Sequence, residues 1–272
     1  MIISSNQALS FRNKIYDYYN KNGRRLPWRE TCDPYRIVVS EIMLQQTQVE
    51  RVLEKYPAFI GAFPDFQALA HADFRNVLGI WQGLGYNRRA LLLKALAGTV
   101  VQDYNGSLPS NNNDLLKLPG IGRATAGAIL AFAFNIPSAF IETNIRRVFI
   151  HHFFQESTVI SDSAIMPLVE KTLDVLNPKA WYYALMDYGS MLRKNIQNPN
   201  RRSAHYQKQI PFKYSDRKIR GEIIRMLIRK THISEDEAYT LDDKNAERVQ
   251  KILIQMEKEG LIRGQDGLYS IS

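Results

Sequence analysis

KLPGIGRATAGAIL, residues 117–130, sets two glycines two positions apart and then turns to small and apolar side chains at helical spacing. Glycine enters positive φ without steric cost, so the pattern predicts a tight turn that opens a helix. ATAGAILAFAF (124–134) is apolar all round, which predicts a helix buried at the centre of its domain. The N–H groups at the start of that helix, near Arg123, suit a phosphate oxygen. Contacts of this kind hold nucleic acid without reading its bases. Most glycine turns between helices bind nothing, so the weight of the motif depends on its surroundings.

Outward from this turn the chain reads as helical almost throughout, an all-α class. YRIVVSEIMLQQTQVERVLEKYPAFI (35–60) carries apolar residues near i, i+3, i+4 and i+7, with Pro57 expected to cut it near its end. FQALAHADFRNVLGIWQ, NRRALLLKALAGTVVQDY, SAIMPLVEKTLDVL and AWYYALMDYGSMLRK read as further helices. FPD, GLGY and NGSLPSNNN read as the turns between. No strand-period segment precedes residue 210. KNIQNPNRRSAHYQKQIPFKYSDRK, polar, basic and short of aliphatics, suits an extended connector lying on a surface. Beyond it, three helices and a hairpin in LIRGQDGLYSIS (261–272) fit a winged helix, a DNA-binding or protein-binding module.

The 272 residues, 45% hydrophobic, are enough for one large domain and a small appendage. No apolar run approaches a membrane span, and the N-terminus lacks a signal peptide's pattern, so an intracellular protein is expected. Cys32, the single cysteine, supports no intrachain disulfide and no Cys-ligated metal site. A net charge of +9 attracts polyanions, nucleic acid the commonest among them.

LPWR (26–29), PYRIVVSEIMLQQTQV (34–49), WQGLGY (81–86), LPGIGRATAGAIL (118–130), ETNIRRV (142–148) and ALMDYGSM (184–191) follow one another in order. From about Leu26 to Met191 the chain thus resembles the helix-hairpin-helix (HhH-GPD) DNA glycosylase superfamily, and within it the adenine DNA glycosylases. The hairpin motif alone marks the superfamily or DNA binding in general; SEIMLQQTQV with LPWR upstream is far more specific. The resemblance implies a two-lobed fold in residues 1–210. A six-helix lobe spans about 32–142, and a second lobe combines the N-terminus with about 143–210. Residues 211–272 are the winged-helix-like domain.

Cleaving an N-glycosidic bond asks for a better leaving group and a stabilised oxocarbenium-like sugar, work that two carboxyls in different protonation states can divide. Glu41 lies in an apolar stretch that favours its protonated form, and by resemblance it is the acid that protonates a purine ring nitrogen. Glu142 stands where the superfamily has an Asp that stabilises the cationic sugar; it keeps the charge and adds a methylene. A working substitute, an altered substrate geometry and a weakened enzyme are all open, and the first is favoured. At position 124, where bifunctional relatives carry a nucleophilic Lys, this chain has Ala, which implies a monofunctional enzyme that leaves an abasic site.

The resemblance further places Gln45 and Gln46 in the emptied base stack, with Gln45 expected one turn after Glu41 on the same helix face. It wedges Tyr86 beside the opposite base. Trp28 and Arg29 line an adenine pocket, and Asp187 accepts from an exocyclic amine. Gly120, Gly122, Arg123 and Asn144 complete the DNA contacts, and the backbone carbonyls of Leu116, Leu118 and Ile121 form a candidate site for a sodium or potassium ion.

Relatives carry four cysteines that hold a [4Fe–4S] cluster; here the first position corresponds to Arg193 and the following segment has no Cys, so no cluster and no required cofactor is expected. Arg201, Arg202, His205 and Tyr206 are candidates for hydrogen bonds and phosphate contacts in its place. The family's C-terminal 8-oxoguanine recognition domain has no counterpart in residues 211–272. Together these readings predict a monomeric base excision repair enzyme, cytoplasmic and nucleoid-associated, removing adenine opposite 8-oxoguanine or G from double-stranded DNA. A glycosylase for T or U opposite G or a deaminated purine, and a non-catalytic DNA-binding factor, are the alternatives.

Overall fold

The computed structural model describes residues 3–208, 211–242 and 245–272. In chain order the helices are α1 (Ser5–Asn22), α2 (Pro34–Leu44), α3 (Val49–Ala62), α4 (Phe66–His71), α5 (Phe74–Trp81), α6 (Arg88–Asp103), α7 (Asn112–Leu115) and α8 (Arg123–Phe134). They continue as α9 (Thr143–Phe153), α10 (Asp162–Thr172), α11 (Pro178–Asn195), α12 (Asp216–Arg229), α13 (Glu235–Tyr239) and α14 (Ala246–Lys258). The strands are β1 (Ile233–Ser234), β2 (Ile262–Gln265) and β3 (Leu268–Ile271). The all-α class of residues up to 208 holds.

The chain forms two compact units: Met1–Ile37, Ser110–Leu116 and Ile121–Lys208 make the first, Val38–Pro109, Lys117–Gly120 and Gln209–Ser272 the second. The expected boundary at 210/211 meets residues 209–210, which lie outside the described residues.

In the first unit α8 has a fully apolar core, as its composition predicts: Ala126, Ile129, Ala131 and Phe132 are buried. Phe132 stacks on Tyr183 of α11 with ring centroids 4.4 Å apart, and Phe11 of α1 meets Phe149 and Trp181 at an angle. Gly189 lets α11 approach α9: a Cβ there would lie 2.6 Å from the Asn144 carbonyl oxygen.

In the second unit the long helix expected over 35–60 is two helices. α2 ends at Leu44, Gln46 takes a left-handed φ of 55°, and α3 starts at Val49. Nor does Pro57 end α3, which runs on to Ala62 because Val52, Tyr56 and Phe59 are buried along its inner face. FQALAHADFRNVLGIWQ also divides, at Asp73, whose side chain caps α5 by accepting from Arg75 N.

Residues 216–271 run helix, strand, helix, helix, strand, strand, and the sheet is antiparallel in the order β1–β3–β2. The closing hairpin matches the expectation. β1 is an addition, since two residues carry no readable alternation. Ser234 ends β1 and opens α13 through a capping box with Glu237. α12 is tied to α5: Arg75 Nη1 donates to the Leu227 carbonyl at 2.8 Å.

Candidate nucleic-acid interface and catalytic residues

In the second unit Glu41 sits half-buried on α2 between the buried Ser40 and Ile42. Gln45 and Gln46 follow in the turn after the helix, not on its face as the sequence spacing suggests. Arg89 of α6 occupies the end of that helix, together with Thr47, whose N donates to the Leu44 carbonyl at 3.3 Å. The Arg89 guanidinium donates to the carbonyls of Ile42 (2.8 Å), Met43 (3.0 Å) and Gln45, and to Thr47 Oγ1 (2.9 Å). It also donates to the carbonyls of Leu84 (3.3 Å) and Gly85 (3.1 Å). One side chain therefore caps α2 and fixes the WQGLGY turn relative to it. Burial pushes its pKa down to about 10, which leaves it charged at neutral pH.

Tyr86 has a left-handed φ of 50°, and its ring lies beneath two guanidinium groups, Arg89 at 5.3 Å and Arg217 of α12 at 5.7 Å. Arg217 Nη1 donates to Tyr86 Oη at 3.0 Å. Nothing in the sequence marks Arg89 or Arg217: each stands among several basic residues, and its partners are distant in the chain.

The glycine turn divides its two tasks. Gly120 has φ 79°, and a Cβ would come within 3.1 Å of Leu92 Cβ, so this position takes only glycine without strain. Gly122 has an extended backbone and is the N-cap of α8, with Arg123 exposed as the first helical residue.

In the first unit Glu142 is the N-cap of α9. Its Oε1 accepts from Asn144 N (2.7 Å) and Ile145 N (2.8 Å), and its Oε2 from Asn144 Nδ2 (3.2 Å). Burial pushes this carboxyl above its ordinary value, against the opposing pull of the two N–H groups and of Arg147 and Arg146. Asn144 is held in turn by Arg147, whose Nη1 donates to Asn144 Oδ1 at 2.6 Å and to the Gly189 carbonyl at 2.8 Å. Glu142, Asn144 and Arg147, all within ETNIRRV, form one chain of hydrogen bonds.

LPWR forms a 3-10 turn with Trp28 buried and Arg29 paired to Asp187. Arg29 Nη1 and Nη2 donate to the two Asp187 oxygens at 2.9 and 2.8 Å, and Arg24 adds its backbone N (2.8 Å) and Nε (2.7 Å). Four donors fill the acceptor positions of a carboxylate, so Asp187 is an anchor for the LPWR turn, not an acceptor turned toward a base. Burial alone would raise its pKa, but the Arg29 hydrogen bonds and the Arg29 and Arg24 charges hold it below the usual carboxylate range.

The cysteine-free segment after α11 is not a solvated connector. Asn200 is buried and donates to the Thr143 carbonyl at 2.9 Å, and the backbone of Ser203 bridges Ile160. Arg202 is spent on the carbonyls that end α9, those of Ile150, Phe154 and Gln155, while Arg201, His205 and Tyr206 are exposed. Among the described residues no helix is long and apolar enough to cross a membrane.

Residues 39–174 match the family described as HhH-GPD superfamily base excision DNA repair protein. The adenine DNA glycosylase of Buchnera aphidicola subsp. Baizongia pistaciae is 39% identical over 190 residues, 68% of this chain and 53% of that protein. The human adenine DNA glycosylase is 32% identical over 197 residues, 68% of this chain and 36% of that protein. The chain thus spans about half, or less, of the curated relatives it matches. Among solved structures, a thermostable thymine-DNA glycosylase is similar with TM-score 0.63 and 26% identity, covering 71% of this chain and 91% of that one. A non-covalent endonuclease III–DNA complex shares the fold, with TM-score 0.54 and 18% identity over 78% of this chain and 91% of that one.

Proposed function

The chain belongs to the HhH-GPD superfamily of base excision DNA repair proteins, and we propose that it is a monofunctional adenine DNA glycosylase. The substrate is double-stranded DNA in which adenine faces 8-oxoguanine or G, and the product is an abasic site. The observation that carries the reading is the similarity to adenine DNA glycosylases over two thirds of the chain, together with the retention of Glu41 on α2 and of Glu142 as the N-cap of α9.

In this reading Glu41 gives its proton to a ring nitrogen of the extruded adenine, the bond from C1′ to the base breaks, and the electron pair leaves with the base. The Glu142 carboxylate stabilises the positive sugar until water adds at C1′ and loses its proton. Both hydrogen-bonded carboxylate oxygens of Glu142 are held by α9 itself, which presents its charge from a fixed position. Ala124 offers no amine, so water is the nucleophile.

Gln45, Gln46 and Tyr86 fill the gap left by the base, and Gly120, Gly122 and Arg123 hold phosphate. The Leu116, Leu118 and Ile121 carbonyls remain the candidate alkali-ion ligands. No iron–sulfur cluster enters the scheme. The described part of residues 211–272 is taken as winged-helix-like, and the enzyme acts as a cytoplasmic, nucleoid-associated monomer.

Single-turnover excision on duplexes with A, T or U opposite G or 8-oxoguanine, followed by alkali, tests the proposal. Adenine release that disappears in Glu41→Gln is expected. Release of thymine or uracil alone would replace adenine as the substrate, and release of nothing with tight duplex binding would mark a non-catalytic binder. Strand nicking without alkali would refute the monofunctional assignment.

A further inference from the structure

Two arginines follow one another in α9, and their surroundings differ in charge. Arg146 Nε and Nη2 each donate to the Asp162 carboxylate at 2.7 Å, and His205 Nε2 lies 3.9 Å from the same group. Arg147 is 2% exposed, and its hydrogen-bond acceptors among the described residues are all neutral. They are Asn144 Oδ1 (2.6 Å), the Gly189 carbonyl (2.8 Å) and Asn198 Oδ1 (3.1 Å). Of the charged groups that act on Arg147, Glu142 is opposite in sign and Arg193 of α11 is like in sign. A positive charge held out of water needs a countercharge. Glu142 supplies it, joined to Arg147 through Asn144.

The third acceptor comes from the segment that follows α11, where Pro199 and Asn200 are buried. Asn198 Oδ1 accepts from Asn200 N (3.2 Å) as well as from Arg147 Nε, so the amide oxygen is fixed from two sides. Asn200 Nδ2 ties the same segment to the carbonyl of Thr143, the residue after Glu142. An aspartate at position 198 would have the same shape and accept the same two bonds. It would also set a negative charge on Arg147 and cancel much of the field that Glu142 feels.

We propose that Asn198 is a positioning residue for the Glu142 site: its neutral amide holds the Arg147 guanidinium on Asn144 and leaves the guanidinium charge uncancelled toward Glu142. Burial works against the ionised form of Glu142, while the Asn144 and Ile145 N–H groups, Arg147 and Arg146 work for it. The ionised form is the one that stabilises a positive sugar, so the catalytic consequence rests on the glycosylase reading above. The coupling of Asn198 to Glu142 does not.

Asn198→Asp adds charge and little else. In single-turnover excision from about pH 5 to 9 it should move the acid limb of the rate profile, which follows Glu142, up by about one pH unit. The alkaline limb, which follows Glu41, should stay. Asn198→Ala removes the hold without adding charge, so it should slow excision about equally at every pH and leave the limb in place. Thermal melts of each variant confirm folding.

A second readout does not use activity. The folded-state value of Glu142 lies above the ordinary one, so stability is lost as pH rises through the window between the two, and Glu142→Gln should not show this loss. Urea titrations of the pair across pH locate that window. The same pair built on Asn198→Asp should place its upper edge about one pH unit higher.

An Asn198→Asp variant that moves neither the limb nor the window, or an Asn198→Ala variant that moves them as far, would overturn the proposal. A window that moves while the acid limb stays would keep the coupling and remove Glu142 from the chemistry. Absence of adenine release with the window moved would remove only the adenine assignment.

Discussion

Arg29 and Asp187 meet as a fork, with Nη1 on Oδ2 at 2.9 Å and Nη2 on Oδ1 at 2.8 Å, and both side chains are almost wholly buried. The Arg29 guanidinium also lies over the Tyr183 ring at 4.5 Å. The pair joins the LPWR turn to α11. Removing one partner of such a pair leaves an uncompensated buried charge, which costs about 3–5 kcal/mol. Asp187→Asn should lower stability by about that amount in a denaturant titration. The folded-state pKa of Asp187 is depressed, so its contribution is present above the ordinary carboxylate pKa and is lost as pH falls below it. The gap between unaltered protein and Asp187→Asn should therefore close in acid.

Glu142 serves α9 as well as the proposed chemistry, and substitutions separate the two. Glu142→Ala loses the N-cap and should cost about 1 kcal/mol of stability. Glu142→Asp keeps an N-cap residue and the charge, so it should retain both the fold and excision. Glu142→Gln keeps the length and removes the charge; its single-turnover rate should fall at least about a hundred-fold, the scale of losing one electrostatic stabiliser. Equal rates for Asp and Gln would deny Glu142 a catalytic role.

Arg89 holds the turn that carries Gln45 and Gln46. Its removal takes the donors from the Ile42 and Met43 carbonyls in a partly buried place, so Arg89→Ala should cost about 3 kcal/mol. Arg89→Lys should recover little, because a single ammonium cannot span the acceptors that Nη1 and Nη2 of the planar guanidinium reach. Urea titration measures the cost. Duplex binding of either variant should fall further than its stability predicts, since Gln46 then loses its imposed left-handed backbone.

His152 supplies a pH dependence of stability. It packs edge-on against Phe11 and beside Tyr188, with Lys14 and His151 as its charged and titratable neighbours. Burial first, then Lys14 and His151, pushes its pKa down to about 4. Between pH 6.5 and 4 the unfolded chain binds the extra proton, so stability should decline as pH falls through that window and level off below it. His152→Phe should flatten the decline in melting temperature between pH 7 and 5.

The motifs locate Glu41, Glu142 and the hairpin because a short spacing along one helix or turn is preserved by folding. They do not locate the end of α2. The apolar period runs on through Gln45 to Phe59, while the carbonyls at the end of α2 are taken by Arg89, forty-odd positions away, and by Thr47. Asp187 shows the complementary failure. Its residue type and place in ALMDYGSM suit hydrogen bonding to a base, but the donors that fill it come from Arg24 and Arg29, far away in sequence.

By itself the sequence determined the helical class, the superfamily and the absence of an amine at position 124. The class follows from local period, the superfamily from the resemblance of its ordered motifs, and position 124 from residue type alone. Only the tertiary structure decided where Arg89, Arg147, Arg202 and Arg217 go. A guanidinium offers five donors at the end of a long side chain, so its partners are chosen by the packing of distant elements rather than by its neighbours in the chain.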